Sequence, residues 1–222
     1  MRIAVISDTH QEGNGWGSPP ELLDALRGVD LILHCGDLEV LGILDHLETI
    51  APVLAVRGYP DPHELRPAVG SSDDSRMSRL IEDGRHKSPL DGSRHLDKVG
   101  HGERLAERTR VVQAAGLHIG MVHDLEWPSP RVRVSVTGSL EFPQGSVQEL
   151  MGIKFGGPVD LVCFGHTHEE YVGWHQGMLF INPGSTARPA STRSPGEIGT
   201  LAYLDISNGV ASATILRLHR NA

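Results

Sequence analysis

Five short polar stretches carry most of the residues in this chain that could do chemistry: Asp8-Thr9-His10, Gly36-Asp37, Gly58-Tyr59-Pro60-Asp61, His123-Asp124 and Gly165-His166-Thr167-His168. Taken singly they are ordinary. Asp8 could be a turn or cap residue, Gly36-Asp37 a turn, and His123 an imidazole satisfied by its neighbours. His166 and His168 are more demanding, because side chains at i and i+2 face one centre only where the backbone bends after a strand. Carboxylate plus imidazole without thiolate suits manganese, iron or zinc with open coordination positions, and a carboxylate can bridge two ions about 3.5–4 Å apart. Such a pair can lower the pKa of a bound water and hold both non-bridging oxygens of a phosphate, so phosphate ester hydrolysis is the matching reaction.

Every stretch follows an apolar run: IAVI (3–6), LILH (31–34), VLAV (53–56), LHIGMV (117–122) and VDLVCF (159–164). Helical patterns separate the first three. Ser18-Pro19-Pro20-Glu21 predicts a Ser-capped helix with apolar Leu22, Leu23 and Leu26, ended by Gly28, and a second helix is predicted from about Glu39 to Leu47. This β-α-β-α-β order implies parallel strands, whose carboxyl-terminal loops converge on one crevice. RVVQA (110–114) and LHIGMV read as a hairpin, a helix is expected near Ser146 to Met151, and the C-terminal third reads as antiparallel meander strands. Residues 66–103 show little periodicity and read as a polar, mobile excursion.

The chain has 222 residues, enough for one domain with an insertion. Its formal net charge of −8 and its scarcity of aromatics (3 Trp, 3 Tyr, 4 Phe) argue against nucleic acid as a standing partner. Residues 62–110 nevertheless hold 10 of the 20 Lys and Arg, so the acidity belongs to the remainder. No apolar run is long enough to span a membrane, and none at the start resembles a secretory segment. Cys35 and Cys163 each end an apolar strand, which reads as two small core residues or as reduced thiols of a cytoplasmic protein.

The joint pattern D-x-H, G-D, a G-x-x-D turn, a lone His, G-H-x-H and Asn182-Pro183-Gly184-Ser185 resembles the calcineurin-like metallophosphoesterases. Within that family it is similar to the YfcE-type phosphodiesterase branch and to the retromer subunit Vps29, over nearly the whole chain except about residues 62–104. The resemblance implies an α/β fold, a two-sheet α/β/β/α sandwich, in a single domain over 1–222 with a polar insertion at about 62–104. It implies one metal site at Asp8, His10, Asp37 and His168, and another at Asp37, His123, His166 and an Asn of the third loop. It also implies two divalent ions, manganese foremost with iron or zinc as alternatives, and attack of a metal-bridging hydroxide on the phosphorus of a small phosphorylated substrate.

Two departures stand out. The third loop has Tyr59-Pro60 where the family has Asn followed by Cys or His, and Asp124 follows His123 where Gly is usual. Tyr59 could point away and leave the second ion weakly held, bind a hard ion as phenolate, or be replaced by Asp61 or Asp124. Asp37 and Asp61 are the candidate catalytic carboxylates, and Arg188 is a candidate for meeting a substrate phosphate. His34 is expected as a buried donor behind the ligands. Gly13, Gly15 and Gly17 read as a flexible rim. Two function classes follow: a two-metal phosphoesterase, or a Vps29-like protein-binding module with a degenerate metal site.

Overall fold

Strands β1 (Arg2–Ile6), β2 (Leu31–His34) and β3 (Val53–Val56) run parallel and adjacent, as the β-α-β-α-β pattern predicts. The computed structural model describes residues 1–62, 104–135, 139–191 and 194–220; the expectation of a mobile excursion over 66–103 lies outside them. The remaining elements in chain order are helices α1 (Pro20–Ala25) and α2 (Gly42–Glu48), strands β4 (Leu105–Ala106), β5 (Thr109–Ala114), β6 (Leu117–Val122), β7 (Arg133–Val134) and β8 (Leu140–Glu141), helix α3 (Val147–Phe155), and strands β9 (Leu161–Cys163), β10 (Glu170–His175), β11 (Met178–Pro183), β12 (Glu197–Ser207) and β13 (Val210–His219). They form a six-stranded sheet in the order β13-β12-β1-β2-β3-β4, a five-stranded sheet in the order β10-β11-β9-β6-β5, and the small β7-β8 pair.

Side-chain alternation along each strand produces the layers. Ile3 and Val5 of β1 face inward with Leu31, Leu33 and Val56, where they meet Ile119, Met121, Leu161 and Ile181 of the second sheet. Ala4 and Ile6 point the other way and bury Leu22, Leu26, Ile43, Leu44 and Leu47 from α1 and α2. On the far side of the second sheet, Val162 and Phe180 cover Val147, Leu150 and Met151 of α3. The result is the expected α/β/β/α sandwich. Cys35 and Cys163 are free thiols in the layer between the sheets, where burial pushes both thiols up in pKa.

Three local expectations are corrected. Helix α1 begins at Pro20, and the buried Ser18 hydroxyl has no partner and caps nothing. Helix α2 begins at Gly42, because Glu39 takes a left-handed backbone (φ 68°) that ends any helix at that point. The C-terminal strands are two hairpins divided between the sheets. β10 and β11 join β9, which β11 meets in parallel, whereas β12 pairs antiparallel with β1. The β5–β6 hairpin is present, its turn made by Ala115 and Gly116, both at positive φ, and α3 is capped by Ser146 Oγ, which accepts from the Glu149 amide at 3.2 Å. Among the described residues no helix is long and apolar enough to cross a membrane.

Candidate metal centre

The loops that leave β1, β2, β3, β6 and β9 are stitched to one another by their own backbones. The amides of Asp8 and His10 donate to the carbonyls of Gly36 (2.9 Å) and Asp37 (3.0 Å), and the Gly165 amide donates to the His123 carbonyl (2.9 Å). Such close loops leave no room for side chains at certain positions. A β-carbon on Gly165 would lie 2.0 Å from Ser7 Oγ, and one on Gly58 would lie 1.9 Å from Asp37 Oδ1. Asp8, His10, Asp37, Glu39, His166 and His168 all have positive φ, between 44° and 73°. Residues with a Cβ adopt this conformation rarely, and it aims these side chains back across the strand ends.

Asp8, His10, Asp37 and His168 come together, each with one ligand atom within 4.8 Å of the others. His123 borders them, its Nε2 3.1 Å from Asp37 Oδ1. The histidine tautomers follow from their outer partners. His123 Nδ1 donates to the Cys35 carbonyl (2.8 Å), His168 Nδ1 to the Arg188 carbonyl (2.6 Å), and His10 Nδ1 to the Glu39 carboxylate (2.7 Å). With each Nδ1 proton committed outward, every Nε2 presents a lone pair inward. His10 Nε2 and His168 Nε2 are 3.2 Å apart, and His168 Nε2 lies 3.3 Å from Asp8 Oδ1. Asp8 Oδ1 and His123 Nε2 are buried with no hydrogen-bond partner. Lone pairs facing lone pairs and carboxylates at such distances need a cation between them, so the residues fit a divalent metal.

The electrostatics show the same demand for positive charge, which protons on the imidazoles meet where no ion does. Burial works against the charge on Asp37, yet His123, His10 and the Tyr59 amide outweigh it and hold the carboxyl below its ordinary range. The contact with Asp8 raises the His168 imidazole despite partial burial. His34, fully buried, is pushed down to about 3 by desolvation and stays neutral. Its Nδ1 accepts from the Gly36 amide (3.2 Å), so its Nε2 proton goes to Thr9 Oγ1 (3.0 Å). The expected donor is there, and it supports the first two loops through Thr9 rather than through a ligand imidazole.

The other sequence candidates occupy distinct places. His166 is exposed, with its amide on Asp8 Oδ2 (3.1 Å) and its ring edge-on to His123 and Tyr59, at centroid distances of 5.2 and 5.3 Å. Asp61 is buried, and its oxygens accept from the amides of Gly58 (2.7 Å) and Glu39 (2.8 Å), so it braces the third loop against the second. Tyr59 donates its phenol to Asp124 Oδ2 at 2.5 Å, and that bond to a carboxylate, with burial behind it, pushes the phenol up to about 12. This disfavours a phenolate ligand. Arg188 is exposed, with Nη1 3.9 Å from Glu39 Oε1. Gly15 is no loose rim, since a β-carbon there would lie 2.3 Å from the Ile43 amide nitrogen at the start of α2.

Some working groups carried no sequence signal, and the Asn-Pro-Gly-Ser stretch, legible as part of the joint pattern and as a turn, has a bracing role that the sequence did not show. Glu39 and the carbonyls of Cys35 and Arg188 set the histidine tautomers. Asn182 donates to the Gly165 carbonyl and Thr167 Oγ1, both at 3.0 Å, and Ser185 Oγ donates to the Asp8 carbonyl at 2.7 Å. The Asn-Pro-Gly-Ser stretch thereby holds the first and last loops together.

A calcineurin-like phosphoesterase superfamily domain matches residues 1–209. A protein of Methanothermobacter thermautotrophicus named a probable metallophosphoesterase is 29% identical over 194 residues, covering 86% of this chain and 81% of that relative. One of the same description from Methanocaldococcus jannaschii is 27% identical over 191 residues, covering 85% of this chain and 70% of the relative. Among solved structures, Vps29 from Entamoeba histolytica complexed with zinc superposes with a TM-score of 0.56 at 18% identity, covering 98% of this chain and 99% of that one. An archaeal phosphodiesterase superposes with a TM-score of 0.52 at 20% identity, covering 97% and 100%. With a match over residues 1–209 and the D-x-H, G-D and G-H-x-H loops gathered at one end of a two-sheet sandwich, the chain belongs to the calcineurin-like phosphoesterase superfamily.

Proposed function

We propose that the chain is a divalent-metal-dependent phosphoesterase that hydrolyses a phosphodiester or nucleotide. The observation that carries this reading is the inward-facing set of Nε2 lone pairs and carboxylate oxygens, two of them buried without a partner. Asp8, His10, Asp37 and His168 would hold one ion tightly. Asp37, His123 and His166 would hold a second more weakly, since Tyr59 turns its phenol to Asp124 and offers the centre no oxygen. Manganese suits the donor set, with iron or zinc as alternatives. When bound, such ions polarise phosphoryl oxygens and generate a nucleophile from water. The chain's own residues supply the rest. Asp37 would serve both halves of the centre, Asp61 keeps Gly58 in place beneath it, and Arg188, tied through its carbonyl to His168, would offer a guanidinium to the substrate phosphate. Two buried free thiols accord with a cytoplasmic protein, and the acidic composition with a small phosphorylated substrate rather than standing nucleic acid.

Manganese titration by calorimetry, followed by hydrolysis of bis(4-nitrophenyl) phosphate, tests the reading. One tight and one weaker ion with metal-dependent turnover is expected; no ion, or two equally tight ions, refutes the metal assignment. Tyr59 at the Asn position favours a second reading, a Vps29-like binding module, and a metal-loaded but inert protein would select it.

A further inference from the structure

A pocket of 180 Å3 opens beside the metal centre with His123 in its wall, and Arg57, Tyr59, Glu107, Arg108, Asp124 and Trp127 also line it. Two large aromatic side chains are left to solvent around it, Tyr59 at 62% and Trp127 at 46% exposure, in a chain that has few aromatics. Arg108 and Arg131 stand over the Trp127 ring, 6.0 and 5.7 Å from its centroid. Neither guanidinium makes an ion pair among the described residues, whereas Arg57 is committed to the carbonyls of Asp61 and Pro62 and to Glu107 at 3.0 Å. A chain of net charge −8 therefore keeps two uncommitted cations and an exposed indole next to its metal centre.

The loop that carries Trp127 is built to stay where it is. Lys154 of α3, 4% exposed, donates its ammonium to the Leu125 carbonyl at 3.0 Å and to the Pro128 carbonyl. The Val132 amide closes on the Leu125 carbonyl (3.0 Å), the Trp127 amide on the Asp124 carbonyl (3.1 Å), and the Glu126 amide on Asp124 Oδ1 (2.8 Å). A buried ammonium is costly to keep, and this one touches none of the candidate ligands. What it fixes is the position of Asp124 and Trp127. On the other side of Asp124 lies a cavity of 380 Å3 that also includes Glu126, Phe164 and His166; its two carboxylates face no Arg or Lys in its lining, whereas Glu107 and Asp124 of the Trp127 pocket lie beside Arg57 and Arg108. The basic, aromatic side is thus the one suited to a charged organic group.

We propose that the Trp127 pocket is the subsite for the organic arm of the ester, taking one planar aromatic ring system with an anionic group attached. This is the chemistry of a nucleoside phosphate, with the ring stacked on Trp127 and the charge met by Arg108 or Arg131. At 180 Å3 the pocket falls below the range of about 300–1,000 Å3 that encloses drug-sized ligands, so it accepts a single ring system and not a run of stacked bases. The word ester rests on the phosphoesterase reading; the recognition itself does not.

Calorimetry of the metal-loaded protein with the 5′-methylenephosphonate of 5′-deoxyadenosine, in which a P–C bond replaces the scissile P–O bond, against methylphosphonate alone tests the subsite without turnover. Base–aromatic stacking sets the expected effect: Trp127→Ala weakens the adenosine ligand about tenfold, Trp127→Phe restores most of the loss, and the Arg108→Gln, Arg131→Gln pair weakens it and flattens its salt dependence. Methylphosphonate, which carries the same anion and no ring, shares the arginine effect and shows neither Trp127 effect. A wild-type protein that binds the two probes equally, or a Trp127→Ala variant that keeps full adenosine affinity, overturns the proposal. A protein that shows the Trp127-dependent loss but cleaves no phosphodiester upholds the subsite and refutes the phosphoesterase reading alone.

Discussion

Replacing Gly58 by alanine should disable the centre without removing a single ligand. The β-carbon would sit 1.9 Å from Asp37 Oδ1 and 2.4 Å from the Asp37 amide nitrogen, where real contacts stop at 3.0 Å. The carboxylate must therefore retreat by about 1.1 Å from the place where it faces His123 and His10. Misplacing a reacting group by about 1 Å costs on the order of 100-fold in rate, and loosening a ligand costs metal affinity about 10- to 100-fold. Manganese calorimetry and hydrolysis of bis(4-nitrophenyl) phosphate measure both, with denaturant unfolding alongside to confirm a folded variant. If Gly58→Ala binds the metal as tightly as the parent and turns over within about threefold of it, the packing of the third loop under Asp37 does not position the carboxylate.

Tyr59→Asn, alone or with Pro60→Cys, should tighten the weaker ion at least about tenfold by returning a neutral oxygen to the third loop; unchanged affinity in both variants, by calorimetry, would count against that placement of the weak site. Asp61→Ala leaves the buried amides of Gly58 and Glu39 without acceptors and should cost about 2–4 kcal/mol in urea unfolding. Lost turnover with unchanged stability would instead make Asp61 a reacting group. Burial pushes Lys154 down to about 8 from its ordinary 10.5, so its charge opposes folding fully below about pH 8 and that penalty is relieved as pH rises toward 10.5. The stability of wild type relative to Lys154→Met should therefore grow between pH 8 and 10, and a flat difference in urea midpoints would show the ammonium to be solvated.

The sandwich and the centre were legible because both are written locally. IAVI, LILH, VLAV and VDLVCF are apolar runs too short for anything but buried strands, and the polar residues that follow them can only lie at strand ends. Sheet membership was not legible, since the alternation in YVGWH and MLFIN identifies strands but not their neighbours, and β11 found β9 while β12 found β1. The start of α2 was missed because the left-handed turn at Glu39 is imposed by the contact with Asp61 and not by the residue's own preference. Glu39 and Asn182 read as a helix residue and a turn residue, and nothing in the sequence marked Lys154; their roles exist only once distant segments meet.

Six residues at the ends of the strands are held in a left-handed backbone, which for side chains other than glycine costs on the order of 1 kcal/mol each. With lone pairs turned on one another as well, the ligand-free fold is a loaded spring. An ion present at about a hundred times its dissociation constant would return about 2.7 kcal/mol to the folded state, a sizeable share of the margin by which proteins stay folded. The lifetime of such a chain in a cell would thereby be tied to the supply of its metal. Under starvation for the ion, clearance by proteases would rise while synthesis went on unchanged, so the amount of protein would follow nutrient availability with no dedicated regulator.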